Sequence, residues 1–162
     1  MPAWTHPIRP GLRPYVVSCV GYDWRLAPDA IHHGVPSLGL TLIFQFDEPL
    51  DCGWLDGTSG SPFNILLAGL HNAPALIRTH GRQHGIHVTL TPWGARALFD
   101  CPAAEFAHTM LPPMTCHPAN CTPRCRRPRG RRGSRSSTTS SPAVSRMLTS
   151  TTFPRRYHTH GS

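Results

Sequence analysis

LGLTLIFQF, residues 38–46, is the stretch that most strongly predicts the fold of this chain. Leucine or phenylalanine occupies every even-numbered position, whereas the odd-numbered positions hold a more mixed set of residues. Successive side chains of a β-strand point to opposite faces of the sheet, so this period of two predicts a strand with one buried face. Asp47-Glu48-Pro49 follows directly and predicts a turn.

Four further segments also predict strands. They are rich in β-branched, leucine or aromatic residues, or alternate in hydrophobicity, and they lie at residues 15–24, 63–70, 75–79 and 84–90. A turn at residues 71–74 separates the second segment from the third, and a turn at residues 81–83 is expected to join the third and the fourth as a hairpin.

Two short helices are predicted after the last strand. Thr91-Pro92 combines a good N-cap residue with proline at the first helical position, so a helix through Trp93, Ala97 and Phe99 is expected. Asp100-Cys101-Pro102 repeats the pattern before a second helix start at residues 103–108. The predicted fold class is α+β, a mostly antiparallel β barrel or sandwich with short C-terminal helices.

Six short motifs occur in order between residues 6 and 108. They are Arg13-Pro14-Tyr15-Val16, Gly34-Val35-Pro36-Ser37, Ala68-Gly69-Leu70-His71, Gly81-Arg82-Gln83, Thr91-Pro92-Trp93-Gly94-Ala95-Arg96 and Pro102-Ala103-Ala104-Glu105. In this combination the chain resembles the N-terminal domain of a group of AraC-family bacterial transcription regulators. The resemblance implies a domain that senses a small-molecule effector or holds a homodimer, while separate helix-turn-helix units bind DNA.

The distribution of charge divides the chain into two segments. Residues 1–110 carry six arginines and eight acidic residues, a net charge of −2, whereas residues 111–162 carry ten arginines and no acidic residue. The second segment is also rich in proline, serine and threonine and has almost no hydrophobic periodicity. We therefore expect a β-rich regulator domain at residues 1–110 and a disordered basic tail at residues 111–162.

The genetic code suggests an origin for this tail. When the third base of each codon is read with the first two of the next, residues 121–146 permit an amphipathic helix pair. That string resembles what the same regulators carry after their sensor domain. We interpret the tail as out-of-frame translation that begins near residues 109–113; a genuine disordered basic tail is the alternative.

The N-terminus and the apolar runs predict a cytoplasmic protein without a membrane partner. Residues 1–7 have neither the basic start nor the apolar run of a signal peptide. The longest apolar stretch, residues 65–70, is far shorter than the roughly 20 residues of a membrane helix. In a reducing compartment the six cysteines are expected to be free thiols.

Histidines and cysteines at two places invite a metal interpretation, which the spacing does not favour. On a strand His84 and His87 point to opposite faces, so with His80 they are interpreted as polar turn and strand residues. The second place holds irregularly spaced residues in the tail, namely Cys116, His117, Cys121 and Cys125. We predict no metal site and no cofactor.

The candidate ligand-binding residues are His71, Arg78, Arg82 and His87, with solvent-exposed surface positions as the alternative. A β-rich sensor would hold its ligand inside, among apolar residues and a few polar anchors. No phosphate loop, nucleophile elbow or paired-carboxylate motif occurs, and Asp47, Glu48 and Asp51 are interpreted as a solvated turn. The chain is therefore not expected to be an enzyme.

Together these observations predict a truncated AraC-like regulator that retains its ligand-sensing or dimerisation domain and lacks the DNA-binding half. Two alternatives stay open. One is a stand-alone cupin-like binding domain, although a cupin enzyme would need a facing metal-ligand cluster that the histidine spacing does not supply. The other is a non-specific nucleic-acid binder that acts through its arginine-rich tail.

The tail predicts weak DNA binding without sequence preference. Its phosphate-contacting candidates are Arg126, Arg127, Arg129, Arg131 and Arg132. They have no interleaved aromatic residue to stack on bases, so the full chain should bind duplex DNA with a steep loss of affinity as salt rises. A chain ending at residue 110 should not bind in an electrophoretic mobility assay. Binding of that shorter chain to a defined duplex at physiological salt would contradict the sensor-domain assignment.

Overall fold

Ten antiparallel strands form two sheets in the computed structural model, which describes residues 2–55 and 61–113. In chain order the strands are β1 (Ala3–Thr5), β2 (Val16–Arg25), β3 (Ile31–Gly34), β4 (Leu40–Gln45), β5 (Leu50–Trp54), β6 (Ser61–Phe63), β7 (Ile65–Ala68), β8 (Ala75–Arg78), β9 (Arg82–Leu90) and β10 (Met110–Leu111). The six-stranded sheet has the order β1-β2-β9-β4-β7-β10, and the four-stranded sheet has the order β3-β8-β5-β6. The predicted α+β fold with mostly antiparallel strands is confirmed, as a two-sheet sandwich.

The longest strand pairing within the described residues joins β2 to β9. It runs from Val16 opposite Leu90 to Arg25 opposite Arg82, with a bulge between Val16 and Ser18. Beyond β9 the pairing continues to β4, where Leu42 lies opposite Val88. Directly opposed residues of an antiparallel pair share one face of the sheet, so this register determines which side chains meet.

The six-stranded sheet is covered on both faces. One face packs against the four-stranded sheet through a core that includes Tyr22, Ile43, Cys52, Phe63 and Leu66. On the opposite face, residues such as Leu40, Leu67 and Leu90 are completely buried. A helix and a short 3-10 helix that follow β9 lie over this second face, so β4 has buried residues on both faces, Leu40 and Leu42 on one and Ile43 on the other.

The helix, α1 (Pro92–Phe99), begins as its sequence predicts. The Thr91 hydroxyl accepts a hydrogen bond from the Gly94 amide at 3.0 Å, and proline occupies the first turn. The helix ends at Asp100, which adopts the left-handed conformation with φ of 52°. The predicted role of Asp100 as the start of a second helix is therefore wrong. Pro102 precedes a 3-10 helix at Ala103–Phe106, which is shorter than the helix expected at residues 103–108.

The strand predicted at residues 38–46 is shorter than its alternation indicates. It spans β4 alone, and the side chains at both ends of the pattern are exposed, Leu38 by 97% and Phe46 by 53%. The segment at residues 63–70 divides at Asn64 into β6 and β7, which belong to different sheets.

The hairpin predicted around residues 81–83 does not form. β8 lies in the four-stranded sheet and β9 in the six-stranded sheet, so Gly81, with φ of 109°, turns the chain from one sheet to the other. Arg82 and Gln83 belong to β9 itself. Four strands lie outside the predicted segments, β1, β3, β5 and β10, and β5 includes Asp51, which the sequence places in a solvated turn.

The folded part continues past the boundary predicted at residue 110, because Leu111 of β10 pairs with Leu67. The basic tail from residue 114 onward lies outside the described residues. Three cysteines within the described ranges, Cys19, Cys52 and Cys101, are free and buried. No helix among the described residues has the length and apolar character that a membrane crossing requires.

Close contact between α1 and the start of β2 predicts a sensitive position. A Cβ atom at Gly94 would overlap the carbonyl oxygen of Tyr15, whereas a Cβ atom at Gly11 would meet nothing within 4 Å. We expect Gly94→Ala to lower the free energy of unfolding by about 1–3 kcal/mol, since the backbone must shift. Gly11→Ala is the matched control and should be neutral or slightly stabilising. Urea denaturation measures both, and equal effects would contradict the packing described.

Candidate functional site

Every aspartate and arginine in the strands points away from the space between the two sheets. On the six-stranded sheet Asp23 follows Tyr22, which lies in the shared core, so Asp23 points to the other face. On the four-stranded sheet the same alternation applies beside Cys52 and Ile77. The charged strand residues are Asp23, Arg25 and Arg82 on the first sheet, and Asp51 and Arg78 on the second.

Neutral polar residues face the space between the sheets instead. On the central strand β9 they are Gln83, His87 and Thr89, which together with Gly85 we call the interior polar row. This row lies on the same face as Tyr22 and Ile43, its cross-strand neighbours in β2 and β4. A row of polar groups on the central strand of a sheet, turned towards a second sheet, is unusual because such positions are normally apolar.

One part of this face is a hydrogen-bonded pair. Gln45 donates from Nε2 to the Tyr22 hydroxyl at 3.0 Å. Gly85 lies beneath the pair, and a Cβ atom there would come within 3.0 Å of the Tyr22 hydroxyl and 3.2 Å of Gln45 Oε1. The aromatic rings of Tyr22 and Trp24 are 4.8 Å apart. Glycine at position 85 therefore leaves room for the Tyr22–Gln45 pair and for the Phe44 carbonyl oxygen, which a Cβ atom there would overlap.

Gln83 is the residue on this face whose hydrogen bonding is incomplete. Its side chain is buried, with 6% of its surface exposed, and lies opposite Trp24. Within the described residues its Nε2 atom has no hydrogen-bond partner. A buried donor without a partner costs about 1–3 kcal/mol, and such groups in native proteins call for an explanation.

The titratable groups on the inward faces keep their neutral forms at pH 7. Burial raises the pKa of Tyr22 to about 12, against the smaller opposing effect of the hydrogen bond from Gln45. Burial also raises the pKa of the Cys52 thiol to about 12, assisted by Asp51. Burial lowers the pKa of His87, and it lowers that of His32, with a further contribution from His33.

Of the four candidate ligand residues, only His87 lies in the interior polar row. Arg82 points outward from the other face of β9. There it donates two hydrogen bonds to Asp23, at 2.9 and 2.8 Å, and lies 2.9 Å from Asp47. Arg78 lies on the outer face of the four-stranded sheet, where it pairs with Asp51 at 3.6 Å.

His71 is placed elsewhere, shortly after the end of β7. Its Nδ1 atom lies 2.9 Å from the carbonyl oxygen of Gly69. Because a carbonyl only accepts, Nδ1 is the donor of this hydrogen bond. The Nε2 atom of the ring is buried and has no partner in the described part of the chain, while Trp54 lies edge-on to the ring with centroids 5.3 Å apart.

Sequence reasoning missed Tyr22, Gln45 and Gln83. Gln83 had been assigned to a turn, and the odd-numbered side of β9 was not recognised as facing a second sheet. The available signal was the alternation of residues 83–90, whose odd positions are polar or glycine throughout. That signal becomes informative only once both faces of β9 are known to be covered.

The histidines do not converge. His84 contacts Asp47 at 3.0 Å on the outward face of β9, so it points away from His87. Across residues 2–55 and 61–113 there is no group of three or more histidine, cysteine, aspartate or glutamate side chains that could hold a metal ion. The tail cysteines, His117 and the arginines proposed to contact phosphate lie outside the described residues.

Burial of neutral His87 predicts a loss of stability on mild acidification. Its folded-state pKa lies below the usual value near 6.5, so below about pH 6.5 the unfolded chain binds a proton that the folded chain does not. The free energy of unfolding should therefore fall as the pH drops from about 7 to about 5. His87→Gln should reduce this loss, and His32→Gln should remove a further share. Urea denaturation at several pH values measures the free energy of unfolding. If its dependence on pH is the same in His87→Gln as in the original chain, the burial of this ring is contradicted.

Comparison with known proteins bears on the same segment of the chain. No curated protein and no solved structure shows a significant match. A protein-family model described as a domain of unknown function, DUF6597, matches residues 5–112. The matched residues include α1, the whole interior polar row and every strand of the two sheets except most of β1. The chain therefore belongs to the DUF6597 family.

Proposed function

We propose that residues 5–112 form the small-molecule-sensing domain of an AraC-like transcription regulator, and that the effector binds between the two sheets. The observation that carries this proposal is the interior polar row, above all the buried and unpartnered amide nitrogen of Gln83. The regulatory role rests on the resemblance of the sequence motifs.

A purely structural interior would not favour this arrangement. The central strand of a sandwich gains most stability from apolar side chains on both faces, yet β9 presents three polar side chains and a glycine to the other sheet. Local rules of packing are typically broken at functional sites, where binding compensates for the cost. A ligand that accepts a hydrogen bond from Gln83 would provide that compensation.

Each inward residue has a distinct role in the proposed site. Gln83 donates to the effector, and the Tyr22–Gln45 pair presents a preorganised hydroxyl beside it. Trp24 lies opposite Gln83 and adds an aromatic surface. His87 in its neutral form supplies one donor and one acceptor.

The regulatory part of the proposal concerns the rest of the protein. A sensor domain acts through a partner, either a second copy or a DNA-binding half. Val35 and Leu38, in the loop between β3 and β4, are exposed by 76% and 97% and are apolar surface that a homodimer could cover. Helix-turn-helix motifs in the shifted reading frame downstream would favour the regulator over the stand-alone binding domain.

We expect the two inward glutamines to have opposite effects on the free energy of unfolding: Gln83 lowers it, whereas Gln45 raises it. Gln83→Leu should raise the free energy of unfolding by about 1–3 kcal/mol, because it removes a buried donor without a partner. Gln45→Leu is the matched control on the same face. It should lower the free energy by about 1 kcal/mol, since it breaks the hydrogen bond to Tyr22. Both are measured by urea denaturation.

Opposite signs for these two variants would support a residue retained for binding at the expense of stability. If Gln83→Leu destabilises the protein as much as Gln45→Leu, then Gln83 is an ordinary structural residue. The central observation behind the proposed function would then be lost.

A further inference from the structure

We propose that the site between the sheets takes an uncharged, flat ligand that carries a hydrogen-bond acceptor, and that it rejects carboxylate and cationic ligands of the same shape. This inference rests on the proposed function, because it names the ligand class of that same site.

The exclusion of charged ligands follows from where the protein places its own charges. All five aspartate and arginine residues of the described strands point outward, so none of them can neutralise a ligand charge between the sheets. Arg82 is already held on the outer face by Asp23 and Asp47. Burial of an ionised group without a counter-ion is strongly unfavourable, whereas a neutral polar group needs only a hydrogen bond.

The inward titratable residues do not supply a counter-ion either. The Tyr22 hydroxyl and the Cys52 thiol stay protonated at neutral pH because burial raises the pKa of each. The rings of His87 and His32 stay neutral because burial lowers the pKa of each. Their immediate cross-strand neighbours are apolar, Val20 and Ile43 beside His87, and Ile77 beside His32. The site therefore offers hydrogen bonds without net charge.

The acceptor on the ligand is required by Gln83. Its Nε2 group is a donor, it is buried, and it has no partner within the described residues. The other inward amide, that of Gln45, already donates to Tyr22. A carbonyl, ether or amide oxygen next to Gln83 would satisfy the one open donor, which a saturated hydrocarbon would not do.

The flat shape is required by the aromatic residues next to Gln83. Trp24 is the direct cross-strand neighbour of Gln83, and its ring lies 4.8 Å from that of Tyr22 with a tilt of 32°. Directly opposed side chains on a sheet lie within about 5 Å of each other at Cβ, so a group bound to Gln83 contacts Trp24. Aromatic faces favour planar partners.

Three isosteric probes that differ in charge test this inference. Benzamide is neutral, benzoate is an anion and benzamidinium is a cation, and all three are planar rings of nearly the same size. Each is titrated into the full-length chain labelled with ¹⁵N at pH 7, with the side-chain amide signals of Gln83 and Gln45 and the indole signal of Trp24 as readouts. These local signals separate the inward site from association of benzoate with the arginine-rich tail.

We expect benzamide to shift all three signals. Each charged probe should need an at least about tenfold higher concentration to produce the same shift. Gln83→Leu should abolish most of the benzamide effect on Trp24. His84→Gln, on the outward face of β9, leaves the open donor of Gln83 in place, so it should keep the preference for the neutral probe.

The possible failures have different meanings. If benzoate or benzamidinium shifts these signals at the same concentration as benzamide, the inference about charge is wrong, while a ligand site between the sheets remains. If benzamide binds equally well to Gln83→Leu, the assigned acceptor contact is wrong. If none of the three probes shifts an inward signal, both this inference and the proposed function are overturned.

Discussion

The pairing of β2 with β9 is the interaction on which the rest of the structure depends. It is the longest pairing among the described residues, and it places one set of β9 side chains towards the four-stranded sheet and the other set towards α1. A shift of one residue in this register would exchange the two sets. The apolar residues Val88 and Leu90 would then face the second sheet, and the interior polar row would lie under the helix. The bulge after Val16 lets the strand keep this register while Val16 joins Leu90 on the helix side.

The same register keeps the charged side chains of β2 and β9 out of the space between the two sheets. Asp23, Arg82, His84 and Asp47 meet on the outward side of β2 and β9, where the Arg82 side chain retains 40% of its exposure. The hydrogen bonds from Arg82 lower the pKa of Asp23, but ion pairs at this exposure contribute little to stability. Their larger effect is to hold the charged groups in water, away from the space between the sheets. Among the described strands, the polarity between the sheets therefore comes from uncharged side chains.

Local sequence patterns predicted the positions of strands and helices better than they predicted which strands pair with each other. The alternation in β4 and the Thr91-Pro92 cap describe interactions within a few residues, and both occur in the structure. The assignment of a strand to one sheet or the other depends on distant residues. Gly81 therefore predicted a hairpin where the chain changes sheets. His87 was identified from its residue type, whereas Gln83 was missed because its importance comes from Trp24 across the pair and from the absence of a hydrogen-bond partner.

Two of the buried thiols, Cys52 and Cys19, can report which part of the fold opens first. Cys52 lies in the core shared by the two sheets, whereas Cys19 lies opposite Val88 on the side covered by the helix. A thiol reacts as its thiolate, and the raised pKa of each group makes alkylation slow while the fold is closed. Modification of Cys52 thus marks separation of the sheets, and modification of Cys19 marks release of the helix. The order in which an alkylating reagent reaches the two positions shows which side of the six-stranded sheet opens first.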